Sequence, residues 1–201
     1  MERVDVLEKF YEKDFLKICA PMVRYSKLPF RLLVRDYDCD VCFTPMIMSD
    51  SFVRSAKARD NELKTSEGDR PLIVQFAANN VEDFVNAAEI VAPHNSIRLP
   101  AYSDGVDLNC GCPQRWALKE GYGSSLLTKP ELIKDIVLRV RNMLPSSYSV
   151  SVKIRILDDL RKFKEMSAFS MLAFIHSISS VTSMVGNIYL QKKRMEGNVC
   201  L

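Results

Sequence analysis

At 201 residues, 47% of them hydrophobic and 26% charged, the chain is long enough for one domain with a sizeable core and has the composition of an ordinary globular protein. Twenty-eight Lys and Arg against 25 Asp and Glu leave a net charge of +3, so no global field marks a nucleic-acid partner, and any RNA affinity must come from a local patch. The six cysteines (Cys19, Cys39, Cys42, Cys110, Cys112 and Cys200) are unevenly spaced, which suits reduced thiols inside a cell. The charged start Met1-Glu2-Arg3-Val4-Asp5 lacks the apolar stretch of a secretory signal.

After an N-terminal extension over residues 1–14, short apolar strands alternate with segments of helical periodicity as far as about Leu160. This is the pattern of βα units around a parallel sheet, and it fits a TIM-type barrel or a doubly wound sheet. A strand at Leu16–Ala20 leads to a helix at Ser26–Asp36, and a strand at Val41–Thr44 to a further helix over Ser49–Asn61. The strand Leu72–Phe76 precedes a helix at Val81–Val91. His94–Ser103 is a longer polar connection than a βα unit needs, and disorder is expected there. A strand at Val106–Asn109 follows. The helix Pro130–Met143 opens on a first-turn proline and stops before Pro145. Val150–Arg155 is the fifth strand.

The character changes at Phe163. Met166 to Leu190 contains no Asp, Glu, Lys or Arg and is followed by Gln191-Lys192-Lys193-Arg194, so length and flanking charge permit a membrane span. The serines, Thr182, His176 and Asn187 within it argue against one. A buried helix, or a segment without settled packing, is the expectation instead.

The densest chemistry lies in Asp107-Leu108-Asn109-Cys110-Gly111-Cys112-Pro113. Gly111 and Pro113 stop the strand abruptly, so Asn109 and Cys112 should project from its C-terminal end, the catalytic face of a parallel α/β fold. The competing reading, of equal weight, makes Cys110 and Cys112 small buried apolar residues. No metal is expected, because Cys-x-Cys needs two further ligands and neither His94 nor Cys19 sits at a zinc spacing. A disulfide between Cys110 and Cys112 would be strained. Polar or special residues end the other strands too: Pro21-Met22, Thr44-Pro45-Met46, Gln75, and Lys153 with Arg155. Each alone could merely satisfy a strand end, but their recurrence points to a ligand pocket.

These residues carry a resemblance. Cys19-Ala20-Pro21-Met22-Val23-Arg24-Tyr25-Ser26, Phe43-Thr44-Pro45-Met46-Ile47, Ile73-Val74-Gln75-Phe76-Ala77-Ala78-Asn79, Asn109 to Arg115, Gly121-Tyr122-Gly123 and Lys153-Ile154-Arg155 resemble the tRNA-dihydrouridine synthases, in particular the 4-like subfamily. The resemblance covers about residues 15 to 160, in the family's order. It implies a TIM-type (β/α)8 barrel and an FMN-dependent oxidoreductase. In such enzymes NADPH reduces the flavin, which passes a hydride to carbon 6 of a tRNA uracil.

On this likeness Ala20, Pro21 and Met22 lie beside the flavin ring, Gln75 bonds its polar edge, and Lys153 places a cation where reduced flavin carries negative charge. Cys112 is the general acid for carbon 5, Asn109 orients the base, and Arg24, Lys27, Arg115, Lys119 and Arg155 meet the substrate nucleotide and its phosphates. A thiol with an ordinary pKa of roughly 8.5 stays mostly protonated near neutrality and can still donate. The likeness also implies tRNA as substrate and a uridine of the D-loop as target; the cytoplasm is the default location, with a membrane as the minor alternative.

The family pattern departs after the fifth strand. Its His-Gly-Arg, Asn-Gly-Asp and Gly-Arg segments have no counterpart, and His176 is followed by Ser177-Ile178. The expectation is a partial barrel of about five βα units over residues 15–162, with a divergent, Ser-rich tail over 163–201. The first and fifth strands would then be sheet edges, and the flavin would lack its phosphate site. The alternative function is therefore an inactive truncated fragment that at most binds RNA or a protein partner.

Overall fold

Strands buried on both faces must be apolar almost throughout, and they pair in parallel when helices cover them. In a computed structural model, β4 (Leu72–Ala77) and β5 (Gly105–Cys110) are buried at every position. The structure describes residues 6–13, 15–92, 103–145 and 147–155, together with the backbone of Tyr189–Leu190. With β1 (Lys17–Cys19), β2 (Val41–Phe43) and β6 (Ser149–Ile154), the two long strands form a parallel sheet in the order β6-β5-β4-β2-β1. Each strand lies next to its predecessor, with no reversal of order among them. A doubly wound sheet requires such a reversal, so the architecture is the N-terminal part of a (β/α)8 barrel.

All five expected strands are present. A short β3 (Ile47–Met48) pairs in parallel with β4, and β7 (Tyr189–Leu190) pairs antiparallel with β1. The first strand is thus not an edge, contrary to expectation. Among the described residues, β6 has no partner beyond β5.

The helices sit where periodicity puts them, with informative shifts at their ends. α5 (Val81–Val91) is capped by Asn80, whose side chain accepts from the Asp83 amide at 2.9 Å, and α7 (Pro130–Met143) opens on its proline. α2 (Leu28–Arg35) starts two residues later than expected, because the Ser26 hydroxyl is used in the turn after β1. It accepts from the Met22 amide at 2.9 Å and donates to the Met22 carbonyl at 3.2 Å. The single helix expected over Ser49–Asn61 is two, α3 (Ser49–Arg54) and α4 (Ala56–Glu62). Ser55, extended at φ −131°, ψ 114°, ends the first and caps the second. Arg59 completes the break by donating to the Phe52 and Val53 carbonyls at 2.9 Å.

α1 (Val6–Glu12) places Val6 in a buried cluster with Leu16, Ile18, Val41, Phe43 and Ile73. Of the polar connection at His94–Ser103, only Ser103 is described. It is buried, donates to the Val91 carbonyl at 3.1 Å and bonds the Tyr148 hydroxyl. The remainder of that stretch, and the tail apart from the Tyr189–Leu190 backbone, lie outside the described residues. Among the described residues no helix is long and apolar enough to cross a membrane.

Alternation divides each long strand between two environments. Val74 and Phe76, Val106, Leu108 and Cys110, and Val150, Val152 and Ile154 join the main core, to which α5 and α7 contribute Phe84, Ala87, Ala88, Ile133, Ile136 and Val140. The opposite face carries Gln75, Asp107, Asn109, Ser151 and Lys153. Register aligns them in rows, with Gln75 opposite Asp107 and Asp107 opposite Ser151, then Asn109 opposite Lys153 one layer nearer the C-terminal ends.

Candidate active site

The inner rows are joined by hydrogen bonds. Ser151 Oγ donates to Asp107 Oδ1 at 2.6 Å, and Gln75 Nε2 donates to Asp107 Oδ2 at 2.6 Å. Gln75 Oε1 accepts from Asn109 Nδ2 at 2.8 Å. Asn109 Oδ1 in turn accepts from the Gly111 and Cys112 amides at 3.1 and 2.9 Å. The side chain of Asn109 therefore shapes the turn that carries Cys112. From the other side, Ser124 donates to the Cys112 carbonyl through its amide at 2.9 Å and its hydroxyl at 3.0 Å.

The two thiols of the motif separate cleanly. Cys110 is fully buried in the main core, where burial and Asp107 push its thiol well above the ordinary range. Cys112 is half-buried and packs against Ala77, Ala117 and Tyr122 together with Met46 and Met48. It is the thiol at the C-terminal end of the strands. The five described cysteines are all free.

Gly123 explains how the turn closes. Its φ is +61°, and a Cβ there would lie 2.5 Å from the Cys112 carbonyl oxygen and 2.8 Å from Cys112 Cβ. Gly123→Ala is expected to cost about 1–2 kcal/mol from backbone conformation alone and to displace Cys112. Urea unfolding and the alkylation rate of Cys112 measure the two effects, and an unchanged alkylation rate would show that the turn absorbs the methyl elsewhere.

Lys153 stands beside this turn, since a Cβ on Gly111 would lie 3.6 Å from its Nζ. Burial lowers its pKa, an effect opposed by Asp107 and Cys112 and reinforced by Arg155. Its half-buried ammonium makes no hydrogen bond among the described residues, so it is free to meet an acceptor or anion from a ligand.

Burial pushes the Asp107 carboxyl up to about 6, against the pull of Ser151, Gln75 and Lys153. An unfolded Asp titrates near 3.9, so between roughly pH 4 and 6 the native chain holds this proton more tightly. The contribution of Asp107 to stability is thus greatest below about pH 4 and is lost as the pH rises through 6. A carboxyl 13C titration should place its midpoint near 6, and a midpoint near 4 would mean that the inner row is solvated.

The remaining expected residues fall into separate groups. Ala20, Pro21 and Met22 are half-buried in the loop after β1, with Met22 packed on Cys19, Cys42 and Leu72. Arg24, at φ 70°, and Lys27 are exposed and line a cleft of about 400 Å³ with Pro45, Met46, Met48 and Glu62. Met46 and Met48 connect that cleft to the apolar cluster around Cys112. Arg115 and Lys119 are exposed on the short helix α6 (Arg115–Lys119), and Arg155 is exposed just past β6. Among the described residues no group of His, Cys, Asp and Glu is placed to hold a metal ion.

Asp107, Ser151, Ser124 and Gly123 are site residues to which the sequence reading assigns no role, although Asp107 and Gly123 stand inside its motifs. For the first two the signal is strict alternation: Asp107 and Asn109 in one strand match Ser149, Ser151 and Lys153 in the next.

A parallel barrel sheet whose strand ends present a half-buried thiol, a lysine without a hydrogen bond among the described residues and a directed chain of amides defines a (β/α)-barrel protein with its candidate site on the C-terminal face. The family profile described as Dihydrouridine synthase (Dus) matches residues 18–173, and the chain belongs to that family. It is 55% identical over 159 residues to the Homo sapiens tRNA-dihydrouridine(20a/20b) synthase [NAD(P)+]-like protein, covering 79% of this chain and 48% of the relative. Against the Schizosaccharomyces pombe tRNA-dihydrouridine(20a/20b) synthase [NAD(P)+] the identity is 45% over 163 residues, covering 81% and 47%. The Saccharomyces cerevisiae protein of the same name is 40% identical over 149 residues, covering 74% and 38%. The chain thus spans about half the length, or less, of these relatives.

Proposed function

We propose that this chain is a tRNA-dihydrouridine synthase that reduces a uridine of the tRNA D-loop to 5,6-dihydrouridine, with FMN as bound cofactor and NADPH as reductant. The observation that carries the reading is the Cys112 turn, pinned by Asn109 beside the unpartnered ammonium of Lys153. The residues fit a flavin: a half-buried cation without a hydrogen-bond acceptor among the described residues stands at one strand end, and Ala20, Pro21 and Met22 are half-buried in the loop after another. FMN, once bound and reduced by NADPH, supplies the hydride for carbon 6 of the uracil.

The chain's own groups do the rest. Lys153 holds the electron-rich side of the ring, with Gln75 near its polar edge. Cys112 gives its proton to carbon 5, balancing the hydride at carbon 6, and is reprotonated from solvent. Asn109, by holding the Gly111 and Cys112 amides, keeps the thiol aimed at the base. Arg24 and Lys27 serve the RNA backbone at the cleft, with Arg115, Lys119 and Arg155 as further exposed cations around the same face.

The test is dihydrouridine content in tRNA from cells lacking their own 20a/20b synthase, after expression of this chain, together with flavin absorbance retained through gel filtration. Restored dihydrouridine and stoichiometric flavin support the reading. Soluble protein with neither would favour the second reading, in which the chain binds RNA or a protein partner without catalysis. The coverage of about half of each relative speaks for that alternative.

Arg24→Ala and Lys27→Ala should weaken tRNA binding and lower the magnitude of its salt slope by about 0.7–0.9 for each phosphate that the side chain neutralises. Filter binding at several salt concentrations measures this, and an unchanged slope would remove these cations from the RNA path.

A further inference from the structure

We propose that Asp107 is a positioning residue: its carboxylate fixes the direction of the hydrogen-bond chain that runs through Gln75 and Asn109 to the Cys112 turn. Two primary amides in series can each sit in either of two orientations, because their oxygen and nitrogen ends have the same shape. The four combinations are distinguished only by what stands at the ends of the chain.

At one end the Asp107 carboxylate, ionised above about pH 6, can only accept. It takes Ser151 Oγ on one oxygen and Gln75 Nε2 on the other. Gln75 must then turn Oε1 toward Asn109, and Asn109 must answer with Nδ2. This leaves Asn109 Oδ1 for the Gly111 and Cys112 amides, which can only donate. Acceptor at one end and donors at the other agree with one arrangement alone. All five bonds are 3.1 Å or shorter, and Gln75 and Asp107 are buried where water cannot substitute for a lost partner. The charged group acting on Asp107 is Lys153 from β6, with Gln75 and Ser151 as its neutral partners; the Cys110 thiol on its own strand stays protonated.

Asp107 therefore acts on the thiol through two intervening residues, Gln75 and Asn109, without touching it. Any consequence for catalysis rests on the function proposed above, whereas the chain itself is testable without flavin or tRNA. Gln75→Glu sets a second carboxylate against Asp107, so two acceptors repel where Gln75 Nε2 donated, and the side chain at 75 is pushed off its contact with Asn109. Adding Asp107→Asn exchanges the two groups and restores it. The introduced amide nitrogen donates to the introduced carboxylate, the introduced amide oxygen accepts from Ser151, and the carboxylate still accepts from Asn109. The readouts are hydrogen exchange of the Gly111 and Cys112 amides and the iodoacetamide rate at Cys112, both followed by mass spectrometry on the full chain.

Gln75→Glu should raise both rates at least tenfold, and the double variant should return them to within about threefold of the parent. A double variant as fast as Gln75→Glu, or a single variant as protected as the parent, overturns the proposal. Should Gln75→Glu fail to fold, the parent decides the matter. The side-chain amide protons of Gln75 and Asn109 must exchange at least a hundredfold slower than free amides, and exchange at the free rate refutes the chain. Because every readout is independent of turnover, loss of the proposed reaction and loss of this chain are separate results.

Discussion

Asp69→Ala is expected to destabilise the chain by about 3–5 kcal/mol, a large share of the 5–15 kcal/mol that holds a typical domain together. The reason is what it leaves behind. Arg31 is 1% exposed, and its guanidinium makes two bonds to Asp69 through Nε, at 3.0 and 3.1 Å, and a third through Nη2 at 2.6 Å. Its Nη1 and Nη2 also reach the Ser26 carbonyl at 2.7 Å and the Lys64 carbonyl at 2.8 Å, and Thr65 donates to Asp69 at 3.2 Å. One buried cation thus ties the turn after β1, helix α2 and the segment before β4 together.

Without its carboxylate the guanidinium is stranded where water cannot reach it. Urea unfolding should show the midpoint falling with the slope unchanged. A loss below about 1 kcal/mol would show that water enters the cluster. Replacing both partners, by Arg31→Met with Asp69→Leu, should cost less than Asp69→Ala alone, because no unpaired charge remains.

On the function proposed above, Cys112→Ala should lower the rate of dihydrouridine formation by about 10²–10⁴, the range that a positioned general acid contributes. Cys110→Ala provides the control. That thiol lies on the apolar face of the same strand and is fully buried, so its loss should appear in stability and leave turnover within a few fold. Single-turnover assays on tRNA with the flavin-loaded chain separate the two. Equal losses from both variants would mean that the Cys112 effect is a disturbed strand, whereas an active Cys112→Ala chain would mean that the proton comes from elsewhere.

How far the sequence announces this arrangement depends on how local each signal is. The five barrel strands and helices α2, α5 and α7 rest on apolar runs, prolines and an Asx cap that act within a few residues, and their types are legible. The break at Ser55 is not, because it depends on Arg59 reaching back to the Phe52 and Val53 carbonyls. The pairings of β3 and β7 are two residues long and exist only through their neighbours. In the site, Cys112 and Lys153 are visible as residue types at strand ends. Gln75 and Asn109 are visible too, but not that their amides face each other, since that follows from the register between β4 and β5. Asp107 is hidden inside an apolar strand, because only the alignment of three strands reveals which side chains share its row.

The alternation in β5 means that the barrel tolerates substitution and length change very differently. Exchanging Val106 or Leu108 for another aliphatic residue alters packing on one face alone. Deleting a single residue between Gly105 and Cys110 would turn over the strand on one side of the cut, so that polar side chains there face α5 and α7 and apolar ones enter the polar rows. Fold and chemistry would fail in one step, so in a library of variants this segment should accept many substitutions on its helix-facing positions and no insertion or deletion at all.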